Sequence, residues 1–169
     1  MPFTPFHFGP GATIKAIAPR HFSFTVFCFA QVVMDIEVLV NLARGAPLHG
    51  WLHTYVGAIG VCVVTLLAGW PLCQRFLAWW VSQPQLPMKE YFNPSPQIPF
   101  ISALTGSLIG SFSHVWLDSL MHGDLEPFAP FNNANQMLGL LGPGLLHLLC
   151  LVVGVIGGWA CARFAKSRL

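Results

Sequence analysis

The sequence predicts an all-α fold: an integral membrane bundle of four transmembrane helices preceded by an N-terminal half-helix. Three observations predict it. Charged residues make up only 8% of the 169 positions, against about 25% in an ordinary soluble domain. Mean hydropathy is +0.63. Four mostly apolar runs each approach or exceed the roughly 20 helical residues that cross the hydrocarbon core. No internal repeat or long charge run breaks the pattern, so one domain over residues 1–169 is expected.

Taken in order, Met1 to Pro10 has no basic segment and is broken by Pro2, Pro5 and Pro10, which does not read as a cleavable signal. Phe8 to Ala18 is too short to span and is expected as the half-helix. The first span runs from about His21 to Ala43 and the second from Trp51 to about Trp70. The second has an optional continuation past Pro71 through Phe76, Trp79 and Trp80, tryptophans that suit a membrane interface. Ser82 to Pro99 holds five prolines and reads as an extended loop. The third span is Ile98 to Met121, and Phe128 to Asn135 is a second loop. The fourth span runs from about Met137 to Cys161, with Gly142-Pro143-Gly144 bending or delaying its start. Gly154, Gly157 and Gly158 on it permit close helix packing.

The basic residues orient the bundle. Lys15, Arg20, Arg75, Lys89, Arg163, Lys166 and Arg168 fall on one side and only Arg44 on the other. Both termini are therefore expected in the cytoplasm of a bacterial inner membrane, with the 44–50 and 122–136 loops facing outward. A net charge of +2 offers no broad basic surface, so no nucleic-acid partner is expected. The five cysteines are scattered through apolar segments without a C-x-x-C pair and read as small buried residues.

Within this apolar frame, ionisable residues gather at one depth. Asp35 and Glu37 lie in the outer half of the first span, His49 and His53 open the second, and His114, Asp118 and His122 close the third. Charges and imidazoles in hydrocarbon need partners or an ion. Spacings of four keep His114, Asp118 and His122 on roughly one helix face, and His-x3-Asp lets one helix give two ligands to one metal. His7 fits if the half-helix and first span form a hairpin turning at Pro19. From His7 to Arg20 a helix rises about 20 Å, and from Arg20 back to Asp35 about 22 Å. The alternative is a surface histidine on a loose terminus.

Imidazoles with carboxylates suit zinc, with manganese, iron or nickel as alternatives, and the set could hold one or two divalent ions. Asp35 and Glu37 differ by about 200° on an ideal helix, so they cannot both face one centre. Asp35, which shares its face with Gln31, is expected as ligand. Glu37 is expected as a base or a group behind the ligands, or simply paired with Arg44. One of His49 and His53 would ligate while the other positions a water or substrate oxygen. The expected ligands are His7, Asp35, His53, His114, Asp118 and His122, with Asp35, Glu37 and His49 as catalytic groups. Ser113 and Thr54 either orient neighbours or are ordinary helix hydroxyls. His147 reads as a satisfied interhelical histidine, His21 as interfacial, and Asp124 and Glu126 as solvated loop carboxylates, with contact to a cation or substrate as the alternative.

Met1-Pro2-Phe3-Thr4-Pro5-Phe6-His7, Asp35-Ile36-Glu37, His49-Gly50-Trp51-Leu52-His53-Thr54, and Ser113-His114-x3-Asp118 ahead of Pro127-Phe128 and Pro130-Phe131 together resemble the family of predicted membrane-bound metal-dependent hydrolases. The likeness covers most of the chain in the same order. Two positions depart: Glu37 stands where a second Asp is usual, and Gly50 where Arg is common. A more remote similarity is to the helical zinc-dependent phospholipases C and nucleases. It implies one ion on Asp35, His53, His114 and Asp118, and a second shared by His7 and Asp118. The later His-x3-Glu pair of those enzymes has no counterpart, since His147 is followed four residues on by Leu151, so a three-metal site is not expected.

The function expected is metal-dependent hydrolysis of a phosphoester in a membrane lipid or a lipid-linked small molecule. Two alternatives use the same residues. One is a metal transporter, which needs a polar path where the inner halves of the spans offer only Ser102, Thr105 and Ser107. The other is a non-catalytic membrane scaffold with a closed structural metal.

Overall fold

A computed structural model describes residues 5–83 and 95–166. Most of the expected proline-rich loop, with Lys89, lies outside the described residues, as do Met1–Thr4 and Arg168. A 3-10 turn at Pro5–His7 leads into α1, Phe8–Ile17. The four long helices are α2, Phe24–Arg44; α3, Tyr55–Ser82; α4, Phe100–Ser119; and α5, Pro143–Lys166. Each is long and apolar enough to cross a membrane. Among the described residues there is no strand beyond one isolated bridge between Phe128 and Asn132. The chain is an all-α membrane bundle with a leading half-helix.

The helix limits follow local chemistry. Ser23 caps α2 by accepting the Val26 N–H, and Gly45 ends it at φ 65°, where a side chain would be strained. The second span begins later than Trp51 because Trp51–His53 forms a 3-10 turn. Thr54 then caps α3, its hydroxyl accepting the Gly57 N–H at 2.8 Å. The continuation past Pro71 is present. Residues Thr65–Gly69 widen into a π turn in which the Trp70 N–H donates to the Thr65 carbonyl, five residues back. That turn immediately precedes the proline, whose missing N–H and bulky ring would otherwise break the helix. The fourth span starts at Pro143, at the late end of the expected range.

Close backbone contacts hold the half-helix in place. A Cβ at Gly154 would lie 2.9 Å from the Gly9 Cα, and one at Gly157 would lie 2.3 Å from the Thr13 nitrogen. Thr13 Oγ1 donates to the Val153 carbonyl at 2.7 Å across the same seam. Gly158, expected to share this role, faces nothing within 4 Å. Lys15 Nζ ties the α1–α2 turn by donating to the Pro19 and Phe22 carbonyls at 2.7 and 3.0 Å. Ser102 Oγ on α4 secures it from the other side by donating to the Arg20 carbonyl at 2.6 Å. The hairpin thus returns His7 to the level of Asp35. By contrast, only 17% of the apolar window of α5 is buried; Val155, Ile156 and Trp159 point outward, as lipid-facing side chains would.

Candidate metal centre

Asp118, 3% exposed, is the hub. Its Oδ2 lies 3.1 Å from His114 Nε2 and 3.7 Å from His53 Nε2. Its Oδ1 lies 3.4 Å from His7 Nε2 and 3.9 Å from His122 Nε2. Asp35 Oδ1 on α2 is 3.5 Å from His114 Nε2. Four separate segments supply these groups: the Pro5–His7 turn, α2, the Trp51–His53 turn and the end of α4. Donors bound at about 2.1 Å to a tetrahedral ion sit about 3.4 Å from one another. The spacing around Asp118 brackets that value.

Hydrogen bonds behind the cluster aim its histidines. His114 Nδ1 donates to Gln31 Oε1 at 2.5 Å, and Gln31 Nε2 donates onward to Ser113 Oγ at 3.3 Å. His53 Nδ1 donates to Glu37 Oε2 at 2.9 Å. His49 Nδ1 lies 3.0 Å from both carboxylate oxygens of Asp124. With Nδ1 committed as donor, Nε2 carries the lone pair in each ring. The Nε2 atoms of His53 and His114, both nitrogens of His7, and Asp118 Oδ1 are buried without a hydrogen-bond partner. Bare lone pairs facing carboxylate oxygens repel, and a cation among them removes both the repulsion and the desolvation cost.

The protonation states agree. Burial pushes His7 down to about 4, with Asp118 opposing only in part. Burial likewise lowers His53 against the pull of Glu37, and His122 against that of Asp118. For Asp124, partial burial pushes upward but is outweighed by the hydrogen bond and charge of His49, so the carboxyl stays below its usual range. Near neutral pH these histidines offer lone pairs rather than charge.

The structure brings together all eight residues singled out from sequence, in two roles. His7, Asp35, His53, His114, Asp118 and His122 surround the centre, and His49 stands beside them with its ring 4.8 Å from His53 and 4.5 Å from His122. Glu37 faces away from Asp35, as the 200° separation requires. It does not pair with Arg44; its oxygens accept the Gly50 and Leu52 N–H groups at 3.1 Å as well as His53. A Cβ at Gly50 would lie 2.7 Å from Glu37 Oε1, so the missing side chain is what admits the carboxylate.

Two readings change. Asp124 is not a free loop carboxylate but the partner of His49, whose backbone N–H it also accepts at 3.4 Å. His147 is not satisfied: its Nε2 is buried and unpartnered, and its ring packs on Phe6 at a centroid distance of 4.8 Å. Of the two alternatives for Thr54, the ordinary helix hydroxyl holds: it caps α3. Gln31 was visible only as sharing a face with Asp35; its hold on His114 depends on how α2 and α4 meet. His21 is exposed and away from the cluster. Ligand atoms from His7, His114 and Asp118, and from Asp35, His53 and His114, lie within 4.8 Å of one another and could hold a metal ion. The chain matches no protein-family model, no curated protein and no solved structure.

Proposed function

We propose that this protein is a membrane-embedded, metal-dependent hydrolase acting on a phosphoester of a lipid or lipid-linked substrate. The observation that supports it is the set of buried, unpartnered Nε2 and carboxylate atoms around Asp118 at tetrahedral ligand spacing. Asp35, His53, His114 and Asp118 Oδ2 would hold one divalent ion, most simply zinc. His7, His122 and Asp118 Oδ1 would hold a second. Ions held there would acidify a water and stabilise charge growing on a phosphoryl group.

The chain's own groups do the rest. Asp35 accepts the proton of the attacking water as its oxygen bonds to phosphorus. The P–O bond to the alcohol breaks on the opposite side, the departing oxygen takes a proton from a solvent water at the loop end, and Asp35 returns its proton to solvent. His49, held through Nδ1 by Asp124, positions that water with its Nε2 lone pair. Glu37 fixes the His53 ring. The cluster lies where the 44–54 and 120–142 loops meet the ends of apolar helices, which suits a substrate with its headgroup at the interface and its tails in lipid. The placing of the basic residues supports cytoplasmic termini in a bacterial inner membrane, with the cluster toward the outer face.

Two features weigh against a transport path. Ser107 Oγ donates to the Leu104 carbonyl and Ser111 Oγ to the Ser107 carbonyl, so α4 satisfies its own hydroxyls below the cluster. No second histidine–carboxylate grouping occurs toward the other end among the described residues. The test is release of phosphorylated headgroup from mixed phospholipid vesicles holding the purified protein. Turnover that is abolished by a chelator, restored by zinc and absent in Asp118→Asn supports the reading. Turnover indifferent to chelator, or none on any phosphoester lipid by a protein shown to carry metal, contradicts it.

A further inference from the structure

Accessibility differs between the two ends of the cluster, chiefly at His122 and Asp124. The side chains of His53 and His114 are 0% exposed and that of Asp118 is 5%. At the loop end, His49 is 3%, His122 is 22% and Asp124 is 40% exposed. His49, His122 and Asp124 each offer a ligand atom within 4.8 Å of the other two. His49 also belongs to a second such triad, with His53 and Asp118, and His53 to a third, with Asp35 and His114. Consecutive triads therefore share one histidine each. Asp118 Oδ1, buried and without a hydrogen-bond partner, points into this sequence 3.9 Å from His122 Nε2.

We infer that His49, His122 and Asp124 form an outer metal station, which captures a divalent transition ion from solvent and hands it inward through the shared histidines to the buried ligands. The physical need is clear. A hydrated divalent ion cannot cross to fully buried donors in one step without losing several waters before gaining any ligand. A ladder of shared ligands replaces waters one or two at a time, and each step keeps a bond already made. Asp124 supplies the exposed negative charge that attracts the cation first. His49 belongs to both the outer triad and the next one inward, and so stands between them. This inference rests on the metal-site reading above and adds how the site is filled.

The test is the rate of cobalt(II) uptake by the metal-free, full-length protein in detergent, followed by the visible absorption of the bound ion. Wild type is compared with Asp124→Asn and Asp124→Glu. The expected result is the same tightly bound equivalents in every protein, reached about tenfold or more slowly in Asp124→Asn, with Asp124→Glu restored toward the wild-type rate. Equal rates in all three proteins overturn the outer station while leaving the buried site standing. Loss of the tight equivalents in Asp124→Asn overturns it too, because Asp124 would then belong to the permanent site. If wild type takes up no cobalt, the metal-site reading itself fails and the station falls with it.

Discussion

Glu37 and Gly50 act as a pair: the bare Cα of one seats the carboxylate that orients His53. Gly50→Ala should push Glu37 off the Gly50 and Leu52 amides and free the His53 ring. Zinc affinity should then fall about tenfold to a hundredfold with little change in helix content, and Glu37→Gln should do the same; competition against a chelating dye measures it. His7 gives a pH dependence. Its folded value of about 4 lies below its ordinary 6.5, so the unfolded chain takes up a proton first as pH falls. Stability is fully present above 6.5 and declines toward 4. The metal-free protein should lose thermal midpoint over that window, and His7→Phe should flatten the loss. At this scale His-x3-Asp and Asp35 were legible because intramembrane charge is rare and costly. Asp124 was not, since a loop carboxylate carries no periodicity that tells a bonded one from a solvated one.

Helix seams decide whether the cluster forms at all. The α1–α5 seam depends on Gly9, Gly154 and Gly157, whose backbones touch. Gly154→Leu should drive α1 away at a cost of about 1–3 kcal/mol and withdraw His7 from Asp118. The expected result is loss of the ion that uses His7, with the ion on Asp35, His53 and His114 retained; elemental analysis reads this as a fall from two equivalents to one. The four spans and the half-helix could be read from run length, and the hairpin from the matched rise of two helices turning at Pro19. The boundaries near Trp51 and Pro71 were harder. Apolar pattern does not reveal that Thr54 rather than Gly50 caps α3, or that a π turn carries the helix through a proline.

For the whole molecule, the bundle presents apolar side chains outward and concentrates its intramembrane polarity at one end. α5 faces outward over most of its surface, and the buried polar residues lie chiefly between α2, α4 and the turn that opens α3. That division of labour was legible in composition, because a chain with so few charges places each of them under a strong constraint. Which residues stand in front of the cluster and which stand behind it required the packed structure, since Gln31, Glu37 and Asp124 reach their histidines only across segments distant in sequence. These groups converge with the spacing that metal ligands need. Elemental mass spectrometry of the purified protein, wild type beside His114→Ala and Asp118→Asn, tests most directly whether they hold metal. Two equivalents of zinc or a similar ion are expected in wild type, fewer in His114→Ala and none in Asp118→Asn. Wild-type protein without metal after zinc supplementation, or an unchanged metal content in Asp118→Asn, would contradict the metal site.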